Sequence, residues 1–105
     1  GRYYFQAPIS YDEKTISKKW KADTPKHMLE LKDRLVSITD FYSENIEVEF
    51  KKYLEENDLA MGALLPAFRV SLTGLGMGPS LFDIAALLGK EEIASRMEMA
   101  INTIK

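Results

Sequence analysis

The chain has 105 residues and a mass of 12.0 kDa; 46% of the residues are hydrophobic and 29% charged, and the net charge is −2. That is enough for one domain, and it can bury roughly two-thirds of its unfolded surface without disulfide or metal staples. The absence of cysteine excludes thiol catalysis, disulfides and thiolate metal sites, and with His27 as the only histidine no transition-metal site is expected. An acidic pI of about 5.4 argues against indiscriminate coating of nucleic acid or membrane. The longest apolar run is far short of the roughly 20 residues that span a bilayer. No charged-then-apolar leader opens the chain, so a soluble cytoplasmic domain is the expectation.

In chain order, Tyr3, Tyr4 and Phe5 form an aromatic lead-in read as hydrophobic anchoring, and Asp12 to Trp20 reads as a short helix with Trp20 as a lid on a small N-terminal core. Thr24 can cap a helix whose early residue is Pro25 and whose stripe is Met28, Leu31, Leu35, Ile38 and Tyr42. Ser43 can cap the next helix, with Ile46, Phe50, Tyr53 and Leu54 on one face, five glutamates on the other, and Asn57-Asp58 as a stop.

A third long helix is predicted to begin near Pro66 and end at Thr73-Gly74. Leu75 to Gly78 links it to a helix opened by Pro79, striped by Leu81, Ile84, Ala85 and Leu88 and ended by Gly89. The last helix carries Glu91 and Glu92 in its first turn and buries Ile93, Met97, Ala100, Ile101 and Ile104. No stretch alternates with period two long enough to argue a sheet. The expected fold is all-α: one bundle or cage of about six short helices over residues 1–105, without repeats or low-complexity linkers.

Charge is uneven. Residues 1–34 carry a net +3, residues 35–66 a net −5, and residues 67–105 are neutral. The basic character gathers at Lys14, Lys18, Lys19, Lys21 and Lys26 and reads either as a solvated face or as a strip facing phosphates. His27 sits among charged residues and reads as an exposed helix position. Met61, Met77, Met97 and Met99 read as gap fillers or surface.

Leu59 to Phe82 holds one charge, Arg69, which either snorkels from a core helix or awaits a partner outside the chain. Gly74, Gly76 and Gly78 permit close approach by a neighbour, but no strand precedes them and no Lys-Ser/Thr follows, so a nucleotide-phosphate loop is excluded. With Pro79 as the first helical residue, the N–H groups of Ser80, Leu81 and Phe82 would lack intrahelical partners and could serve a carbonyl or an anion. Phe82 lies about 100° off the apolar stripe, so its ring could cover a base. A guanidinium, unspent amides and an aromatic face suit the unstacked bases of an RNA loop. They do not suit catalysis, and no catalytic residue is assigned.

The run from Leu64 to Ile101, with Arg69, Ser71-Leu72-Thr73-Gly74, Gly78-Pro79, Leu81-Phe82, Leu87-Leu88-Gly89-Lys90-Glu91 and Arg96, resembles the C-terminal end of bacterial-type glutamyl-tRNA synthetases. Tyr11-Asp12-Glu13-Lys14 and Trp20 are also similar to that family, whereas residues 21–60 match in helical pattern only. The resemblance implies an α-helical, cage-like anticodon-binding domain at the end of a larger class I ligase that attaches glutamate to tRNA(Glu). It implies that Arg69 reads an anticodon base, and that Gly78, Pro79, Ser80, Leu81 and Phe82 hold its neighbour through main-chain contacts and packing. Ser80 stands where the family often has Gly.

The catalytic signatures of that class are absent, and Thr15-Ile16-Ser17-Lys18-Lys19 is read as helix rather than as their Lys-rich ATP loop. The resemblance places ATP and magnesium in a separate catalytic domain. It also implies the tRNA anticodon loop and the rest of the synthetase chain as partners, and a monomer away from membranes. A helical protein-interaction module, suggested by the acidic balance and the apolar 59–82 surface, is the alternative. A free-standing enzyme has no catalytic constellation to support it.

Overall fold

A computed structural model of the chain describes residues 6–104, so the aromatic triplet Tyr3, Tyr4 and Phe5 lies outside the described residues. Six helices follow in order: α1 (Glu13–Lys19), α2 (Thr24–Val36), α3 (Ser43–Glu56), α4 (Met61–Thr73), α5 (Leu81–Leu88) and α6 (Lys90–Thr103). There is no strand among the described residues, as the absence of period-two patterning requires.

The 3.6-residue stripes become the core. Met28, Leu31 and Leu35 of α2 meet Ile46, Phe50 and Leu54 of α3, Leu64, Phe68 and Leu72 of α4, and Ile93 and Met97 of α6, all buried. Phe50 is the keystone. Its ring stacks on Phe68 with centroids 5.5 Å apart and receives the edge of Phe82 at 5.5 Å, so one side chain ties α3 to α4 and to the first turn of α5. A second cluster joins Val70, Ala100 and Ile104, with Tyr11, Ile16 and Trp20 packed against it. Trp20 is thus a lid, but over residues of α4 and the end of α6 and against the main cluster rather than over a separate N-terminal core, since α1 has no buried residue.

Helix starts differ in detail from the sequence reading. Thr24 is the first residue of α2 rather than its cap, and its hydroxyl accepts the Lys21 N–H at 2.7 Å. Ser43 likewise opens α3 behind Tyr42, without a side-chain cap. Asp12 is the one start here capped by its side chain: its carboxylate accepts the Thr15 N–H at 3.0 Å and the Thr15 hydroxyl at 2.6 Å. Those two bonds hold the Asp12 carboxyl below its ordinary range, with Lys14 adding to the effect.

The larger correction is at α4, which begins at Met61, so that Pro66 lies inside the helix instead of opening it. Proline there removes one i→i−4 bond. Leu64, two residues before it, is buried in the main cluster, and that burial favours extending the helix across the proline.

His27 is also corrected. Its side chain is 12% exposed, and its Nδ1 lies 2.6 Å from the Tyr53 hydroxyl, which donates to Glu30 Oε1 at 2.7 Å. Because the Tyr53 proton goes to Glu30, His27 donates through Nδ1–H and links α2 to α3. Burial, then the bond and the charge of Glu30, push the Tyr53 hydroxyl far above the ordinary tyrosine range. A folded pKa raised above the unfolded value of about 10 stabilises the fold fully below that pH and is lost above it. Urea titrations across pH 9–12 are therefore expected to show a steep alkaline loss of stability, and Tyr53→Phe should flatten it. Equal alkaline slopes for the two proteins would remove Tyr53 as its source.

Candidate nucleic-acid interface

The site is built on the α4–loop–α5 unit. α4 ends at Gly74 in the left-handed conformation (φ 77°), whose N–H donates to the Val70 carbonyl at 2.8 Å. The Thr73 hydroxyl donates to the Arg69 carbonyl at 2.9 Å and accepts the Leu75 N–H at 3.1 Å, so the chain leaves the helix in a defined direction.

Gly74 and Gly76 have definite neighbours: the segment leading into α1 and the first turn of α1. A Cβ on Gly74 would sit 2.6 Å from the Ser10 carbonyl oxygen and 3.0 Å from the Pro8 Cβ, and one on Gly76 would overlap the Thr15 hydroxyl. The Asp12 N–H donates to the Gly74 carbonyl at 2.8 Å. The close approach inferred from the glycine spacing is thus made by the chain itself, and it clamps one end of the loop.

Arg69 holds the other end. It lies half-buried on α4, and its Nη1 donates to the Pro79 carbonyl at 2.9 Å. The guanidinium therefore faces the loop rather than the core, at the mouth formed by Gly78, Pro79 and Ser80, all exposed. Of the residues assigned in sequence, Arg69, Pro79 and Ser80 come together there, with Gly78 adjacent in the loop.

The helix start is displaced from its predicted place. α5 begins at Leu81 with Ser80 as its cap residue, and Pro79 lies outside the helix. The first intrahelical bond runs from the Ile84 N–H to the Ser80 carbonyl at 3.1 Å. The amides preceding that bond are those of Leu81, Phe82 and Asp83, not Ser80 to Phe82. Ser80 makes no side-chain capping bond. Leu81 is 2% exposed, so it can offer only its main chain. Phe82 is half-buried and rests edge-on against Phe50 instead of standing free, because its position beside the stripe is still within reach of the α3 core. Part of the ring remains at the surface next to Ser80. Asp83 adds a carboxylate to the first turn, which disfavours a phosphate at this helix start and favours a neutral acceptor such as a base carbonyl.

Sequence reasoning missed two supporting residues. Arg96 is 2% exposed, and its Nη1 donates to the Leu72 carbonyl at 2.8 Å while its Nε donates to Glu92 Oε2 at 2.7 Å. It fills an orphan carbonyl in the last turn of α4 and so supports the helix that carries Arg69. Thr15 sets the fit of Gly76. Their local partners, Glu92 four residues before Arg96 and Asp12 three before Thr15, do not reveal these roles, because Leu72 and Gly76 lie far away in sequence.

A half-buried guanidinium, the exposed loop residues Gly78, Pro79 and Ser80, and a half-buried aromatic ring thus lie together around the α4–α5 loop, an arrangement of the kind that suits unstacked bases. The anticodon binding domain family matches residues 1–101, and the chain belongs to it. It is 45% identical over 104 residues to the glutamate–tRNA ligase of Phocaeicola vulgatus, covering 99% of this chain and 21% of that protein. Against the glutamate–tRNA ligase of Flavobacterium johnsoniae it is 49% identical, with 97% and 20% covered. A crystal structure of a glutamate tRNA ligase from Elizabethkingia meningosepticum, in complex with its amino acid, superposes with a TM-score of 0.94 at 38% identity; the match covers all of this chain and 21% of that one. The chain therefore spans about a fifth of the relatives it matches.

Proposed function

We infer that the chain recognises the anticodon loop of tRNA(Glu) as part of a glutamate–tRNA ligase, with binding rather than chemistry as its task. Family membership favours this reading over a protein-interaction module. The observation that carries it is the Arg69–Pro79 bond, which fixes a guanidinium beside the start of α5. Arg69 donates to the acceptor edge of one base. The Leu81 to Asp83 amides meet a carbonyl of its neighbour, Pro79 and the open face of Phe82 cover that ring, and Gly78 and Ser80 shape the entrance.

Among the described residues no cluster of three or more His, Cys, Asp or Glu side chains could hold a metal ion. In this reading ATP, magnesium and glutamate act in a catalytic region outside the chain. No helix among the described residues is long and apolar enough to cross a membrane, and the proposal places the ligase in the cytoplasm as a monomer.

In the full-length ligase, Arg69→Ala is expected to raise the KM for tRNA(Glu) by about 5–150-fold, the equivalent of about 1–3 kcal/mol of base discrimination. The KM values for glutamate and ATP should not change. A KM for tRNA equal to that of the parent would remove Arg69 from the interface.

A further inference from the structure

The basic side of α1 has a specific neighbour in the fold. A groove of about 230 Å³ runs between α1 and α4, lined by Lys14, Thr15, Lys18, Lys19, Pro66 and Gly76. Pro66 and Arg69 are three residues apart on α4 and so share a face about one turn apart. Gly76 leads into the loop that ends at Pro79. The groove thus continues from the reading site without a break in the chain elements that form it.

Its charge is unspent. Lys32, Arg34, Lys51, Lys52 and Arg96 each pair with a glutamate. No ion pair involves Lys14, Lys18 or Lys19 among the described residues. Asp12, which caps α1, accepts both Thr15 bonds through Oδ2, and the charge of Lys14 is the smallest of the influences on it. The lysine rise along α1 also complements the negative end of that helix, so Lys18 and Lys19 are held in place without an acidic partner. At the other end of the site, Asp83 discourages phosphate at the α5 start. The two ends therefore differ in kind: acceptor-seeking amides at α5 and bare cations at α1.

We propose that the α1–α4 groove is a phosphate track, in which Lys14, Lys18 and Lys19 hold successive backbone phosphates of the RNA strand whose bases enter at Arg69. This deepens the anticodon reading and rests on it. The track positions the strand and carries no sequence information; the bases are read at the α4–α5 loop. Lys21 and Lys26, outside the groove, take no part.

The test is tRNA binding by the full-length ligase across 0.1–1 M salt, comparing the parent with a Lys14→Gln/Lys18→Gln/Lys19→Gln variant. Glutamine removes the charge, is only one atom shorter than lysine and keeps its helix propensity, and circular dichroism checks that the fold survives. Three single-strand phosphates correspond to a slope of log K against log[salt] shallower by about 2, hence about 100-fold weaker binding at 0.1 M that converges with the parent near 1 M. The preference for cognate tRNA over a tRNA with one altered anticodon base should stay at the parent value.

An unchanged slope and affinity would overturn the track and leave those lysines to an acidic protein surface or to solvent. A lost base preference would overturn it as well, by making the groove a reading site. Arg69→Ala, assayed alongside, separates the two ideas. If it leaves base preference intact while the lysine variant shows the shallower slope, the reading site has failed and the track stands.

Discussion

Arg96→Ala is expected to cost about 3 kcal/mol of folding stability and to lower the thermal midpoint by roughly 12–24 °C. Arg96 is 2% exposed and bonds both Glu92 and the Leu72 carbonyl. Truncation removes a large side chain from between α4 and α6 and leaves the Leu72 carbonyl buried without its donor, which alone costs about 1–3 kcal/mol. Glu92 is half-exposed and can return to water, so the loss falls short of that for a fully buried broken pair. Arg96→Met refills most of the volume but not the bonds, and should lose about half as much. Differential scanning calorimetry on the three proteins checks the order; a midpoint for Arg96→Ala within a few degrees of the parent would show that neither bond supports α4.

Gly74→Ala should be the most damaging single change in the reading loop, by about 2–3 kcal/mol. The backbone there has φ 77°, which costs a residue with a Cβ roughly 1–2 kcal/mol. The added atom also meets the Ser10 carbonyl oxygen at 2.6 Å, and that backbone cannot step aside cheaply. Gly76→Ala meets side chains only, the Thr15 hydroxyl and the Asp12 Oδ2 at 3.2 Å, which can shift at the expense of their mutual bond, so a smaller loss is expected. In both variants the α1–loop clamp loosens and the Pro79 carbonyl moves relative to Arg69. Denaturant midpoints and tRNA KM values measured on the same preparations should therefore worsen together. Parent-like stability for Gly74→Ala would mean that the loop has another low-energy path.

The helices were legible because their evidence is local. Stripes such as Met28, Leu31, Leu35 and Ile46, Phe50, Leu54 repeat at the helical period, and Gly74 marks an end that only a left-handed residue closes well. Arg69 was legible as the one charge in an apolar stretch. Pro66 was misread as a start because local propensity disfavours it within a helix, whereas burial of Leu64 in the main core cluster favours continuing the helix through it. Pro79 was placed two residues too far inward for a similar reason: the Arg69 bond and the buried Leu81 set where α5 begins. His27 looked exposed because Tyr53, its partner, is 26 residues away.

Read alone, the residues establish an all-α domain, its helix faces, and an arginine followed by a glycine-rich turn and a helix start resembling an anticodon reader. The tertiary fold alone decides that Gly74 and Gly76 receive residues 8–15, that Phe82 leans on Phe50, that Arg96 caps α4, and that three lysines line a groove with Pro66 and Gly76. Periodicity and caps depend on neighbours three or four residues apart, whereas each of those contacts joins elements brought together only when the core closes.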